Sequence, residues 1–369
     1  MKSTISKVEV FGIAMPLVGG GFKNAYVTKT VQKSAVIRIT DDDGWVGLGN
    51  IDPSPGYSAE SIEDSLKALR EVLAPTIIGL DSFNIHELLI LMNKKIDQFY
   101  DAKAAIEMAC TDLICRKLNI PVYTYLGGEV VNNLLFNAWI GILPPDEAAS
   151  EAKKWFDKGF KSAKVKVGGD IYADRDRIAA IREAVGPTMK LRADANAGYQ
   201  VEDAIALGKL LEPFDMQLLE QPVHAEDLIG MSRVRQAIGI PVMADESIID
   251  HDSLIQVIKK DAADIVKLKV MKQGGFLNAR RMLETASAAG LKVVIGHGFG
   301  LGVNTVAEIM FACTSLDVLP GLECVGPLKT VDDIVTQKLD ITSGSLALPG
   351  GSGLGVVLDD KKMQKYLFV

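Results

Sequence analysis

Cysteine is scarce in this chain. Cys110, Cys115, Cys313 and Cys324 are the only four in 369 residues, and none is spaced as Cys-x-x-Cys. That pattern fits neither a disulfide framework nor a zinc site, so the four read as reduced packing residues. Positive charge is also in short supply. Forty Lys and Arg face 47 Asp and Glu, giving a net charge of −7 and a pI near 5.3. With no basic stripe, nucleic acid and anionic membrane surfaces are poor partners. No stretch approaches the ~18 apolar residues of a membrane span. The start, Met1-Lys-Ser-Thr-Ile-Ser-Lys-Val-Glu9, carries charges where a signal peptide needs an apolar core. The expectation is a cytoplasmic protein whose partner is a small molecule.

What the chain does have is a repeated design. Lys190-Leu-Arg-Ala-Asp-Ala-Asn196, Met216-Gln-Leu-Leu-Glu-Gln-Pro222 and Ile240-Pro-Val-Met-Ala-Asp-Glu246 are apolar-leaning runs carrying Asp194, Glu220 and Asp245 at their ends. The same ruler reaches back to Lys166 and Ile140 and forward to Lys269, His297 and Glu323, in steps of 24 to 28 residues. A strand, a loop, a helix and a return loop need about that much chain. Eight such runs describe a parallel (β/α) barrel, in which chemistry gathers at the C-terminal ends of the strands. Helices are expected over residues 146–158, 174–184, 201–211, 227–237, 252–259, 275–289 and 303–313.

At 369 residues the chain exceeds the about 250 of a bare barrel, so a further domain precedes it. Residues 3–15, 33–40 and 45–49 read as a three-stranded antiparallel meander, with Asp41-Asp-Asp-Gly44 as a hairpin turn. Helical spacing from Ser58 to Lys117 adds a three-helix layer, making an α+β capping domain over residues 1–125. The Gly-rich segment 17–26, with Phe22 near its tip, and the Pro/Gly segment 50–58, with Tyr57, are expected to be lid loops that touch substrate. Residues 126–325 would form a catalytic domain of the α/β class, a modified TIM barrel of (β/α)7β type. Residues 326–369 lack a long final helix and are expected to return to the capping domain.

Asp194, Glu220 and Asp245 on three successive strand ends form an all-oxygen set suited to Mg²⁺ or Mn²⁺, because three converging carboxylates repel one another without a cation. Asn196 and Glu246, just beyond two of them, are expected to support the ligands. Lys164 and Lys166 share one strand face, and Lys269 lies four strands away, across the mouth. Beside a divalent cation the paired lysines are expected to drop in pKa toward a working general base. Lys267 and Lys272 read as solvated charges. His297, between glycines, and Glu323 are expected to contact substrate. The chemistry implied is proton transfer at the carbon next to a carboxylate through a metal-stabilised enediolate. A metal-free Schiff-base aldolase using Lys166 or Lys269 is a reading from another class.

Lys164-x-Lys166, Asp194-x-Asn196, Glu220-Gln-Pro222, Ala244-Asp-Glu246 and Lys269 followed by Gly274-Gly275 resemble the enolase superfamily, in its muconate lactonizing enzyme (mandelate racemase/muconate lactonizing enzyme) subgroup. The resemblance spans essentially the whole chain. It implies Lys166 and Lys269 as an acid/base pair, Lys164 beside the substrate carboxylate, and a homo-oligomeric isomerase. Lys269 stands where a mandelate-racemase-like His–Asp dyad would need its acid. Glu323-Cys-Val-Gly-Pro-Leu328 is similar to the muconate cycloisomerases, which makes a muconate-type cycloisomerase the leading expectation. The alternative is an amino-acid or dipeptide racemase/epimerase, or a dehydratase. His297 among glycines, and Asn50 in place of the Glu that much of the family has after Gly-x-Gly, depart from the pattern.

Overall fold

The computed structural model describes residues 2–23, 28–54 and 58–369. Strands Ile5–Pro16, Val31–Asp41 and Val46–Ile51 pair antiparallel in chain order, with the second at the centre. The Asp41 side chain builds the turn between the last two by accepting from the Asp43 and Trp45 N–H groups at 3.0 and 2.8 Å. Helices Ile62–Ala68, Ile85–Lys95 and Tyr100–Leu118 form the expected layer. Ser61 caps the first by accepting from the Asp64 N–H, and that helix passes through one π turn at Leu69–Leu73.

Tyr100–Leu118 is buried along most of its length because it serves two neighbours. Toward the meander it lies so close that a Cβ on Gly49 would stand 1.9 Å from the Ala105 carbonyl oxygen, so only glycine fits there. Toward the barrel, its Glu107 carboxylate accepts from the Phe276 and Leu277 N–H groups at 2.8 and 3.2 Å and caps a barrel helix. Burial pushes the Glu107 carboxyl up to about 7.

Seven parallel strands follow in one curled sheet whose spatial order is the chain order. They are Asn137–Ile140, Ser162–Lys166, Lys190–Asp194, Met216–Glu220, Val242–Ala244, Ile265–Leu268 and Lys292–Ile295, numbered one to seven below. Helices Pro145–Asp157, Ile171–Val185, Val201–Leu211, Leu228–Ala237, His251–Lys259, Phe276–Ala288 and Gly302–Ala312 follow successive strands, at or within a few residues of the expected positions. Along each strand one set of alternate residues packs under the helices; Ala163, Val165, Leu191, Ala193, Leu219 and Val266 belong to the main core. Leu218, Met243, Ile265 and Val294 form a small separate cluster inside the barrel.

The eighth run differs from expectation. It is not a regular strand: Val318 and Leu322 make isolated parallel bridges to strand seven and to Phe136, just before strand one. Pro320 brings no N–H, and Gly321 adopts φ 94°, so the run bends there. The Pro320 and Gly321 carbonyls instead accept from the Arg192 guanidinium at 2.7 and 2.8 Å. Backbone hydrogen bonds from this run to both edge strands still close the barrel, among them Asn137 N–H to Leu322 O and Glu323 N–H to Ile295 O, each 2.9 Å.

After Glu323 the chain runs back over the first unit. Ser345–Ala347 pairs with Asn133–Leu135, the Leu354 N–H donates to Asp112, and Phe368 and Val369 hydrogen-bond to Gly12. All four cysteines are free and buried. Among the described residues no helix is long and apolar enough to cross a membrane.

Candidate active site

Strand ends two to six bring the charged residues to one rim, and the same alternation that buries the outer core turns them inward. Lys164 Nζ contacts Asp194 Oδ2 at 2.8 Å, Glu220 Oε2 at 2.9 Å and Glu323 Oε2 at 2.8 Å. Lys166 Nζ lies 2.6 Å from Asp194 Oδ2 and donates to Asn196 Oδ1 at 2.5 Å. From the other side of the mouth, Lys269 Nζ reaches Asp245 Oδ1 at 2.6 Å. The two amines named as an acid/base pair thus approach the carboxylate group from strands two and six.

The three acids are buried, with relative exposures of 0, 0 and 1% for Asp194, Glu220 and Asp245. Burial opposes ionisation of Asp194, but the Lys164, Lys166 and Lys267 ammonium groups outweigh it and hold the carboxyl at about 2. Asp245 is likewise held well below the usual carboxylate range, burial being overcome by Lys269, Lys267 and Lys272. Glu220 goes the other way, to about 7, through burial and the neighbouring Asp194 charge. At Lys164 burial alone would lower the pKa. The surrounding carboxylates of Asp194, Glu220 and Glu323 win, and it rises well above an ordinary lysine.

The donor set fits a hard divalent cation. Three buried carboxylates reach one rim from adjacent strands, and Asp245 Oδ2 is buried without a hydrogen bond. Lysine ammonium groups lie among these oxygens, as positive charge must where carboxylates crowd. Among the described residues, the one trio of acids whose oxygens all lie within 4.8 Å is Asp41, Asp42 and Asp43 in the distant hairpin.

Supporting groups hold the acids from behind. The Asn196 N–H donates to Asp194 Oδ1 at 3.0 Å, and its side-chain amide donates to Glu246 Oε1 at 3.1 Å. Asn196, Ala197 and Gln221 sit at φ 45°, 59° and 35°, left-handed conformations in non-glycine residues shortly after Asp194 and Glu220. Gln221 clamps the next strand end by accepting from the Asp245 and Ser247 N–H groups at 3.0 and 3.2 Å.

His297 and Glu323 line the same cavity as Lys164, Lys166 and Lys269. The His297 ring packs so tightly that a Cβ on Gly300 would meet its Nε2 at 2.0 Å, which accounts for the flanking glycine. Burial keeps this imidazole below its ordinary pKa against the opposing pull of Asp52, so at neutral pH it is uncharged. Its Nε2 accepts from the Asn304 amide at 2.9 Å. That amide also donates to Asp52 at 2.8 Å, and the Asn304 N–H donates to Asn50 Oδ1 at 3.3 Å. Asn50 therefore joins the capping unit to the helix Gly302–Ala312, whose Asn304 side chain meets His297. Glu323 faces Lys164, Lys267 and Arg192. Tyr57 lies outside the described residues, as does the side chain of Phe22.

Residues 7–127 match the mandelate racemase / muconate lactonizing enzyme N-terminal domain, and residues 147–362 match the enolase C-terminal domain-like family. The chain belongs to the mandelate racemase/muconate lactonizing enzyme group of the enolase superfamily. It is 31% identical to the L-Ala-D/L-Glu epimerase of Bacillus subtilis over 96% of each chain. The muconate lactonizing enzyme of Pseudomonas fluorescens, solved with muconolactone, superposes with a TM-score of 0.94 at 27% identity over 100% of both chains. The dipeptide epimerase of Enterococcus faecalis, solved with Mg and the dipeptide L-Leu-L-Tyr, gives 0.90 at 31% identity, covering 96% of this chain and 99% of that one.

Two sequence expectations need correction. Lys267 is not a solvated charge: it is 3% exposed and contacts Glu220 at 3.0 Å and Glu323 at 2.5 Å. Lys272 is 5% exposed and donates to the Asp245 carbonyl at 2.9 Å. Burial and the Lys269 charge lower it to about 8. The parity of Lys267 with Lys269, and of Arg192 with Asp194, was the available signal, since alternate residues of a strand face one way. Nothing in the sequence marked Asn304, and Gln221 stood only as the middle of the Glu220-Gln-Pro222 motif.

Proposed function

We propose that this isomerase of the enolase superfamily moves the proton on the carbon beside a substrate carboxylate, with Asp194, Glu220 and Asp245 holding Mg²⁺ or Mn²⁺. The observation that carries the reading is the pair of amines, Lys166 and Lys269, reaching the carboxylate group from strands two and six. When bound, the cation supplies a Lewis acid that holds the substrate carboxylate and lowers the cost of charge on it as the proton leaves. Lys164, kept charged by its carboxylate neighbours, adds a fixed positive charge beside that group. Lys166 and Lys269 remove the α-proton from one face and return it to the other. Asn196 and Gln221 keep the strand ends in register, and neutral His297 and Glu323 border the cavity the substrate enters.

Amines on two faces suit 1,1-proton transfer, which is racemisation or epimerisation of an amino-acid or dipeptide-like carboxylate. Cycloisomerisation of a muconate-type diacid is the second reading, favoured by Glu323-Cys-Val-Gly-Pro-Leu328. Incubation in D₂O with Mg²⁺ separates them. Deuterium at the α-carbon with inversion, lost on chelation and restored by Mg²⁺ or Mn²⁺, is the expected result. Lactone formation from a muconate-type diacid, with one solvent deuterium entering as the ring closes and no inversion of an existing α-carbon, establishes the second reading, and borohydride trapping that survives chelation sinks both.

A further inference from the structure

The acids proposed to hold Mg²⁺ are already crowded by ammonium groups. Asp194 faces Lys164 and Lys166, Glu220 faces Lys164 and Lys267, and Asp245 faces Lys267, Lys269 and Lys272, at 2.6 to 3.6 Å. Glu323, the fourth acid of the lattice, faces Lys164, Lys267 and Arg192. Glu246 adds a fifth carboxylate, tied to the group through the Asn196 amide. Five lysines and Arg192 thus stand against five carboxylates, so the lattice is close to neutral before a divalent ion enters.

Lys164, Lys166 and Lys269 have parts in the proposed chemistry, and Lys267 has none. It lies two residues before Lys269, one pleat deeper on the inward face of strand six. Its Nζ meets Glu220 Oε1 at 3.0 Å, Asp245 Oδ2 at 3.6 Å and Glu323 Oε2 at 2.5 Å. One buried charge thereby bridges strand four, the end of strand five and the closing run, and touches two of the three acids that would take up the ion. The affinity of an oxygen site for a hard cation follows the net charge of its ligands. An ammonium held against two of those ligands lowers that charge and repels the ion, and burial keeps salt from screening it. The same contacts hold the acids together without the ion, since crowded carboxylates otherwise repel.

We infer that Lys267 is a built-in counter-ion of the candidate metal site, which holds Glu220, Asp245 and Glu323 together in the metal-free protein and limits the affinity for Mg²⁺ or Mn²⁺. The inference rests on the proposed assignment of Asp194, Glu220 and Asp245 as the ligands. It makes Lys267 a positioning residue that acts through the acids and touches no reacting atom.

The test is calorimetric titration of the chelator-treated protein with Mg²⁺ and with Mn²⁺. Lys267→Gln, which keeps a donor for the acids but carries no charge, should bind both ions about 10-fold or more tighter than the unaltered protein, a difference of about 1.4 kcal/mol. The tightening should persist in concentrated KCl. Lys267→Met should tighten binding in the same sense, and its melting temperature should fall without metal and recover on Mg²⁺ by more than that of the unaltered protein. Lys267→Met combined with Glu323→Gln restores the net charge and should return the affinity to within about 3-fold of the unaltered protein. Unchanged or weaker binding in Lys267→Gln overturns the inference, as does tightening that the double variant keeps in full. If Asp245→Asn abolishes Mg²⁺ binding, the ligand assignment stands whatever the Lys267 variants do. If Asp245→Asn leaves the affinity unchanged, or neither the unaltered protein nor Lys267→Gln binds an ion, assignment and inference fall together.

Discussion

The two faces of a single barrel strand have the same burial and opposite purposes. On strand three, Leu191, Arg192, Ala193 and Asp194 are each 0% exposed. Leu191 and Ala193 pack under the helices, whereas Arg192 and Asp194 join the ionic lattice at the mouth. Burying the first pair stabilises the fold at about 25 cal/mol per Å² of apolar surface. Burying the second carries a desolvation cost that ion pairs at best offset. The outer face therefore accounts for why the chain folds, and the inner face is retained for what it does.

Removing the Lys166 or Lys269 amine tests that division most severely. Lys166→Ala and Lys269→Ala should each lower kcat for α-proton exchange by about 10³-fold or more, within the range of lost acid–base catalysis. Circular dichroism should show both variants folded. A loss under about 10-fold for either would remove that residue from the acid/base role.

On the outer face the expectation reverses. Leu219→Ala empties a fully buried position one residue before Glu220 and should cost about 2–5 kcal/mol of stability. Turnover per folded molecule should stay within about 2-fold, since side chains under the helices touch no reacting group. A specific collapse of turnover would show that the two faces are coupled.

The smallest effect concerns Glu308, a buried acid on the helix Gly302–Ala312. Its Oε1 accepts from the Val270 N–H at 2.8 Å, next to Lys269, while Oε2 has no hydrogen-bond partner. Burial raises its carboxyl from 4.5 to about 8, against the weaker pull of Val270 and Lys269. A folded-state pKa above the unfolded value means the native form holds the proton longer. Its contribution to stability is complete below about 4.5 and declines as pH rises toward about 8. Glu308→Gln should flatten that decline in chemical-denaturation curves across this window. An unchanged slope would show that Glu308 is ionised in the native protein.

Much of this could be read in the residues in order. Regular spacing of apolar runs located the seven strands and their helices, because each βα unit needs a similar length of chain. Carboxylates and lysines at the run ends marked the candidate site, because parallel strands deliver all their ends to one rim. The eighth run was misread because Pro320 and Gly321 look like mere punctuation until Arg192 is seen to take their carbonyls. Lys267 was misread because a lysine beside a strand end looks solvated when the acids that surround it are remote in sequence.

By itself the sequence determined the elements and the kind of chemistry, since hydrophobic period and residue type are local properties. Only the tertiary structure decided which charges meet, and with them the sense of each pKa shift. Desolvation and Coulomb energy depend on distances between residues that the chain holds far apart until it folds.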